Sequence, residues 1–377
     1  MSFRNKFKPP WSSLCIDILL NISNRLEFID HLRFRSVCSS FHAVNPLPLH
    51  PMFPLLPFPI KLNNNHDNLE GHFSLIEVTT LNIQPLKSNN KCWLIKVEAS
   101  QEEVGGKVHL KMLNQLSSYY LDDYLKELPE SLDLLRNRVS FVSKGYYLKQ
   151  EETSLDEEDN QDIQRVFVSS MEDDFVVMTM HSNGKISVWR KGDEKWTHID
   201  NGLGQCEDIV LHKGKFYAVD KTGLTVTVDK EFNVTKVASS LPRSKHDYGY
   251  GKVLVEIEGE LYLLLKYRKR NVKKDGSSGI FPYGFEGYKL NEEKLKWVRI
   301  YKLKDVVLFL DPHCAFSISS KNFPTYKKNS IYVSFDELYY GNFVGGYPLF
   351  DMRDCSTKTL SSVRSIFVNF WPPPKWI

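Results

Sequence analysis

Four glycines set the terms for most of this chain. Gly145, Gly184, Gly214 and Gly259 each lie within or between short runs rich in β-branched and aromatic residues, and they are 39, 30 and 45 residues apart. Two such runs around a glycine turn read as a β-hairpin. DFVVMTM-HSNG-KISVWR (174–190) is the clearest case, followed by CEDIVLH-KG-KFYAVD (206–220) and KVLVEIE-GE-LYLLLKY (252–267). RVSFV-SKG-YYLK (138–149) predicts a further hairpin turning near Gly145. A third strand, often with an aromatic, follows several of them: Trp196 to Ile199, Val234 to Val237, Trp297 to Ile300. Strand, tight turn, strand, loop and strand make up the blade of a β-propeller. A blade cannot bury both faces alone, so about five to seven must close a ring. A β-sandwich or two smaller β-domains satisfies the same hairpins and stays open at this point.

The β-pattern occupies 72–377. FSLIEVTT (73–80), CWLIKVE (92–98) and KVHLKML (107–113) precede the hairpins, and NSIYVSF (329–335) with YPLFDMRD (347–354) closes them. The aromatic content of 13%, with 18 Tyr and 23 Phe, suits pleated faces. Residues 1–45 read differently. Leu14, Ile18, Ile22 and Leu26, with Leu19 beside them, form a stripe at helical spacing, capped by Ser12 or Ser13. Phe28, Ile29, Leu32 and Val37 form a second apolar set, and Cys38, Phe41 and Val44 a third. Three helices this short cannot bury all these faces among themselves, so the module needs a partner or a neighbouring domain. Between the two parts, 46–71 is a Pro- and Asn-rich linker with six prolines, from Pro46 to Pro59.

The search for chemistry excludes more than it finds. There is no HExxH, GxSxG, P-loop or dinucleotide-binding glycine pattern, and no cofactor or metal is expected. Asp311, His313 and Cys314 are close in LFLDPHCAFSI, which reads as a turn between strands. Glu256 and Glu258 alternate beside the Gly259 turn, on one strand face, a pattern too common to specify paired-acid catalysis. The six cysteines include no CxxC pair, which fits reduced thiols and a cytoplasmic and/or nuclear location. No 18-residue apolar run predicts a membrane span. Lys plus Arg is 49 against 46 Asp plus Glu, and a net charge of +3 gives no warrant for a nucleic-acid or membrane-coating role. EETSLDEEDNQD (151–162) reads as a solvated loop. The basic segment 266–274 reads first as an exposed hairpin loop, and second as a nuclear localisation signal or a contact for an acidic partner.

Residues 11–44 resemble an F-box. Trp11-Ser12-Ser13-Leu14-Cys15-Ile16-Asp17-Ile18-Leu19-Leu20-Asn21-Ile22 is similar to the plant pattern W-S-x-L-P-x-D-L-L-x-x-I. Asp30-His31-Leu32-Arg33-Phe34-Arg35-Ser36-Val37-Cys38-Ser39-Ser40-Phe41 continues it, with Cys15 where proline is usual and Phe41 where tryptophan is usual. The remainder resembles the KIB-type β-propeller of plant F-box proteins. Cys92-Trp93-Leu94, Leu113-Asn114-Gln115-Leu116-Ser117, Asn329-Ser330-Ile331-Tyr332-Val333-Ser334, Phe350-Asp351-Met352-Arg353-Asp354 and the closing Trp371-Pro372-Pro373-Pro374-Lys375-Trp376 carry the likeness.

The resemblance implies an all-α F-box module followed by an all-β, kelch-like propeller. It implies a non-catalytic substrate receptor of a ubiquitin ligase, bound to an Skp-type adaptor and through it a cullin scaffold, with a protein substrate on the propeller. It points to Leu14, Cys15, Leu19, Ile22, Leu26, Val37 and Phe41 as adaptor-binding residues, some of which must also build the module's own core. The alternative is a non-ligase interaction protein whose F-box is degenerate at Cys15 and Phe41. A propeller enzyme would instead show clustered acids or histidines at the ring's central face.

Overall fold

The computed structural model describes residues 13–23, 25–26, 28–35, 37–44, 56–57, 72–86, 92–104, 107–113, 137–150, 163–169, 175–199, 202–229, 231–242, 249–268, 283–311, 313–324, 326–334 and 348–359. The acidic stretch 151–162, the basic residues 269–274, Asn114 to Ser117 and the closing WPPPKW motif lie outside them.

The N-terminal part forms three short helices, α1 (Ile16–Ser23), α2 (Phe28–Arg35) and α3 (Ser39–Val44). α1 corrects the predicted stripe. Leu19 N donates to Cys15 O at 3.2 Å, so Cys15 and not Ser13 immediately precedes the first turn; Ser12 lies outside the described residues. A four-residue repeat drifts by about 40° per step on an α-helix. The set from Leu14 to Leu26 therefore cannot stay on one face. The buried column is Leu19 with Ser23, and Ile18 lies in solvent.

The β-domain follows the hairpin plan with three corrections. β1 (Leu56–Pro57) lies inside the expected linker and pairs with β2 (His72–Pro85). It is a two-residue edge piece, which is where a strand tolerates proline. β3 (Trp93–Val104), β4 (Lys107–Leu113) and β5 (Asn137–Gln150) complete the first unit in the order β4-β3-β2-β5. Gly145 is the second correction. It lies inside the uninterrupted β5, opposite Val78, and makes no turn. A Cβ there would stand 3.0 Å from His313 Cβ and 3.2 Å from the His313 carbonyl group, so glycine serves a close approach. Glu258 is the third: it sits in the turn at φ 51°, off the strand face that carries Glu256.

β6 (Ile163–Ser169), β7 (Val176–His181), β8 (Ile186–Arg190) and β9 (Thr197–His198) form the second unit. It shares one hydrogen-bonded sheet with the first, but β5 and β6 meet in register only at Tyr146 and Val166. β10 (Cys206–His212), β11 (Lys215–Asp220), β12 (Thr225–Val228) and β13 (Val234–Ala238) form the third. β14 (Gly249–Ile257), β15 (Glu260–Arg268), β16 (Tyr283–Asn291) and β17 (Lys296–Ile300) form the fourth. Both hairpins that open these two units turn on two residues of positive φ, Lys213-Gly214 and Glu258-Gly259, the geometry that matches strand twist. The fifth holds β18 (Val306–Leu310), β19 (Ala315–Ser319), β20 (Ser330–Val333), β21 (Pro348–Asp351) and β22 (Ser356–Thr359). Here β18 pairs antiparallel with β19 and parallel with β20.

Apolar clusters join each unit to the next. Leu75, Tyr146, Val166 and Trp189 link the first and second; Met178, Val188, Ile209 and Phe216 the second and third. Val219, Leu263, Tyr288 and Trp297 link the third and fourth; Val255, Phe285, Leu308 and Phe350 the fourth and fifth. The fifth returns to the first through Leu94 of β3 and Cys92 just before it, packed with Val307, Phe309, Phe316 and Tyr332. Among the described residues, five blade-like units therefore close a ring, a β-propeller.

One chain of polar contacts touches all five. Lys96 of β3 meets Asp311, just after β18, at 2.7 Å. Arg165 of β6 donates from Nη1 to the Asp311 carbonyl at 3.3 Å and from Nε to Asp208 of β10 at 3.2 Å. Asp208 in turn accepts from Leu254 N of β14 at 2.7 Å. Burial pushes the Asp311 carboxyl up against the opposing pull of Lys96. His313 is held well below its ordinary 6.5, first by burial and then by the charges of Lys96 and Arg165. Burial raises the Cys314 thiol to about 12.

Candidate interaction surface on the helical module

The module's core is small. Leu19, Phe34 and Phe41 are its buried apolar residues among those described, and the two rings meet at 4.4 Å with their planes 42° apart. Leu14, Ile22, Leu26, Cys38 and Val44 are half-buried around them. Of the residues expected to meet a partner, Leu19 and Phe41 are thus taken up by the core. Leu14, Ile22 and Leu26 have one side in it, and Cys15 and Val37 lie open.

The structure adds Ile16 and Leu20, which the spacing argument passed over, to the exposed Ile18 and Val37. Ile16 is 62% exposed, Ile18 48%, Leu20 38% and Val37 59%. These are four of the nine large exposed apolar side chains among the described residues, in a module a small fraction of the chain's length. Ile16 and Leu20 are one turn apart and so neighbours on the helix surface. Fully burying such a side chain is worth roughly 1.5–3 kcal/mol, and each of these part-exposed residues leaves a fraction of that ungained. The signal was present in the sequence: α1 reads IDILLNIS, apolar nearly all round, and such a helix needs cover on more than one side. The polar rim pairs locally. Asp30 and Arg33 meet at 2.8 Å, and Arg35 Nη2 and His42 Nε2 at 2.9 Å.

Several described carboxylates of the propeller are engaged in structural contacts. Besides Asp311 and Asp208, Glu98 accepts from Tyr147 at 2.6 Å, and Glu256 meets buried His212 at 2.6 Å. His313 N donates to Asp311 Oδ1 at 2.9 Å, and Cys314 Sγ lies 3.8 Å from Ser143 Oγ. The trio Asp311, His313 and Cys314 therefore holds a seam of the ring. Among the described residues no group of three or more His, Cys, Asp or Glu is placed to hold a metal.

A small helical module with an uncovered apolar surface, carried on a closed propeller, defines a binding protein of two parts. Comparison with known proteins specifies which. Residues 11–44 match the F-box domain and residues 70–357 the KIB1-4 beta-propeller, so the chain belongs to the F-box proteins that carry this propeller. F-box protein SKIP23 of Arabidopsis thaliana is 30% identical over 97% of this chain and 95% of its own length. F-box protein At2g17036 of the same plant is 28% identical over 97% of this chain and 94% of its own. F-box protein At2g26160 is 26% identical over 86% and 95%.

Proposed function

We propose that this chain is the substrate-recognition subunit of an Skp–cullin–F-box ubiquitin ligase. The observation that carries the reading is the exposed set Ile16, Leu20 and Val37, with Cys15, on a module that matches the F-box. An Skp-type adaptor would cover that set and bridge to a cullin. The propeller would hold a protein substrate, and the complex would work in the cytoplasm or the nucleus. The chain supplies no catalytic group. It acts by proximity, raising the effective concentration of substrate lysines near a charged ubiquitin-conjugating enzyme.

The test is binding of the full chain to a plant Skp adaptor, beside a variant carrying Ile16→Asp, Leu20→Asp and Val37→Asp. These positions are exposed, so the variant keeps its fold. Truncating an interface anchor costs about 2 kcal/mol or more, and the triple change should weaken binding by at least roughly a hundredfold. A folded wild type that does not bind would overturn the ligase reading in favour of an interaction protein with a degenerate F-box.

A further inference from the structure

The strand at the rim of the fourth blade combines two features that closing the ring does not require. The first is an open edge. β17 is the last strand of its sheet, paired with β16 along its whole length and, among the described residues, with no strand on its other side. Residues in an antiparallel pair direct their N–H and C=O groups alternately to one side and the other, so roughly half of those groups on β17 point away from β16. The strand is firmly held. Trp297 is buried in the seam with the third blade, and its Nε1 donates to the Gly223 carbonyl at 3.1 Å and to Thr225 Oγ1 at 3.0 Å. Ile300, on the other strand face, packs on the cluster shared with the fifth blade.

The second feature is chemical. KLKWVRIYKLK (294–304) contains β17 and carries five basic residues and no acidic one. Lys294, Lys296, Lys302 and Lys304 are exposed and make no ion pair among the described residues. Arg299 meets Glu286 at 2.9 Å and lies over the Tyr301 ring at 5.3 Å. Leu295, Val298 and Tyr301 stand in solvent between the cations, three of the nine large exposed apolar side chains among the described residues. Lysines alone suffice to blunt an edge strand against self-association. Exposed apolar residues between them add nothing to that, but they are what an added strand would cover. The charge selects the occupant. A second copy of this edge would bring five more cations against these five, whereas an acidic segment is attracted, and its backbone pairs the outward N–H and C=O groups.

We propose that the outer edge of β17 is a docking site for an extended acidic segment of a partner protein, which adds to the fourth blade as a further strand and sets its carboxylates against the lysines of 294–304. Under the ligase reading that segment would belong to the substrate. The edge itself does not depend on that reading and is tested without the adaptor.

The experiment is fluorescence anisotropy on the full chain, with a fluorescein-labelled heptapeptide of alternating glutamate and valine as the probe, followed by hydrogen exchange resolved along the chain. The peptide should bind with an affinity that falls as salt is raised, and amides between 296 and 301 should gain protection in the complex. Lys296→Glu with Lys302→Glu changes only exposed side chains and should weaken binding by roughly tenfold or more. Lys191→Glu with Lys195→Glu makes the same change of net charge at exposed positions of the second blade and should leave binding nearly unchanged. A peptide of equal charge with proline in place of valine lacks the N–H donors of a ladder and should bind at least roughly tenfold more weakly. A folded wild type that does not bind the glutamate–valine peptide overturns the proposal, as does binding that protects other amides and leaves 296–301 as they were. Equal binding of the proline peptide also overturns it, and would make the segment a site for polyanions at large, such as nucleic acid or an anionic membrane. Equal losses from the two lysine pairs would trace the attraction to net charge and overturn it too. A chain that binds the peptide at this edge but not the adaptor keeps the docking site and loses the ligase reading.

Discussion

Lys96 Nζ stands 2.7 Å from Asp311 Oδ2, both side chains are closed off from solvent, and one belongs to the first blade while the other belongs to the last. Taking two charges out of water costs several kcal/mol each, so the pair itself adds little net stability. Breaking it is another matter, because the survivor stays buried without the opposite charge that faces it. Lys96→Met and Asp311→Leu should each cost about 3–5 kcal/mol, and the double variant clearly less than the sum. Urea midpoints of the four proteins measure this. Strictly additive losses would mean the two charges do not depend on each other.

His313 predicts a pH dependence of definite sign. Its folded-state pKa lies well below the ordinary 6.5, through burial and the nearby charges of Lys96 and Arg165. The imidazole takes up its proton only on unfolding. Its contribution to stability is therefore complete above about pH 6.5 and is lost as the pH falls below that value, by at most about 1.4 kcal/mol per pH unit. His313→Gln should remove this one-proton slope between about pH 6.5 and 5. Parallel stability curves for wild type and variant would refute the assignment.

The backbone crossing of Gly145 and His313 gives a second lever on the same seam. An alanine Cβ at 145 would meet His313 backbone atoms at 3.2 Å, which a side-chain rotation cannot relieve. Gly145→Ala should destabilise by about 1–3 kcal/mol, the usual cost of overpacking. Gly204 is the control. Its nearest neighbour for an added Cβ is Asp220 Oδ2 at 3.7 Å, so Gly204→Ala should be close to neutral. Equal shifts in melting temperature for the two would count against the close-approach account.

Gly145 also shows where the sequence stopped being legible. Gly184, Gly214 and Gly259 were readable as turns because turn chemistry is local: each has φ between 74° and 78°, at the end of a hairpin visible in a short window. Gly145 has the same flanks, but its reason lies in a residue from the last blade, which no window contains. Lys96 likewise reads as an ordinary strand lysine until ring closure brings Asp311 to it. The hairpins, the helical module and the break between them were local facts. The seams and the polar chain through Arg165 and Asp208 are products of closure. In the module the apolar residues were all visible, yet their division was not, since α1 is apolar on too many sides for periodicity to pick the buried one.

That division makes the sharpest contrast between neighbouring residues. Leu19 is 1% exposed at the centre of a three-residue core, while Ile18 beside it stands 48% exposed. Leu19→Ala removes buried methyl groups and leaves a cavity, at a cost of about 2–5 kcal/mol. A helical unit this small holds only about 3–5 kcal/mol in its core, so the change should unfold the module and leave the propeller intact. Ile18→Ala takes nothing from the core and should change stability by less than about 0.5 kcal/mol. Hydrogen exchange resolved along the chain distinguishes them. Leu19→Ala should lose protection across α1, α2 and α3 with β10 to β17 unchanged, and Ile18→Ala should keep the wild-type pattern throughout. Loss of module protection in Ile18→Ala would show that Ile18, too, is held by the fold.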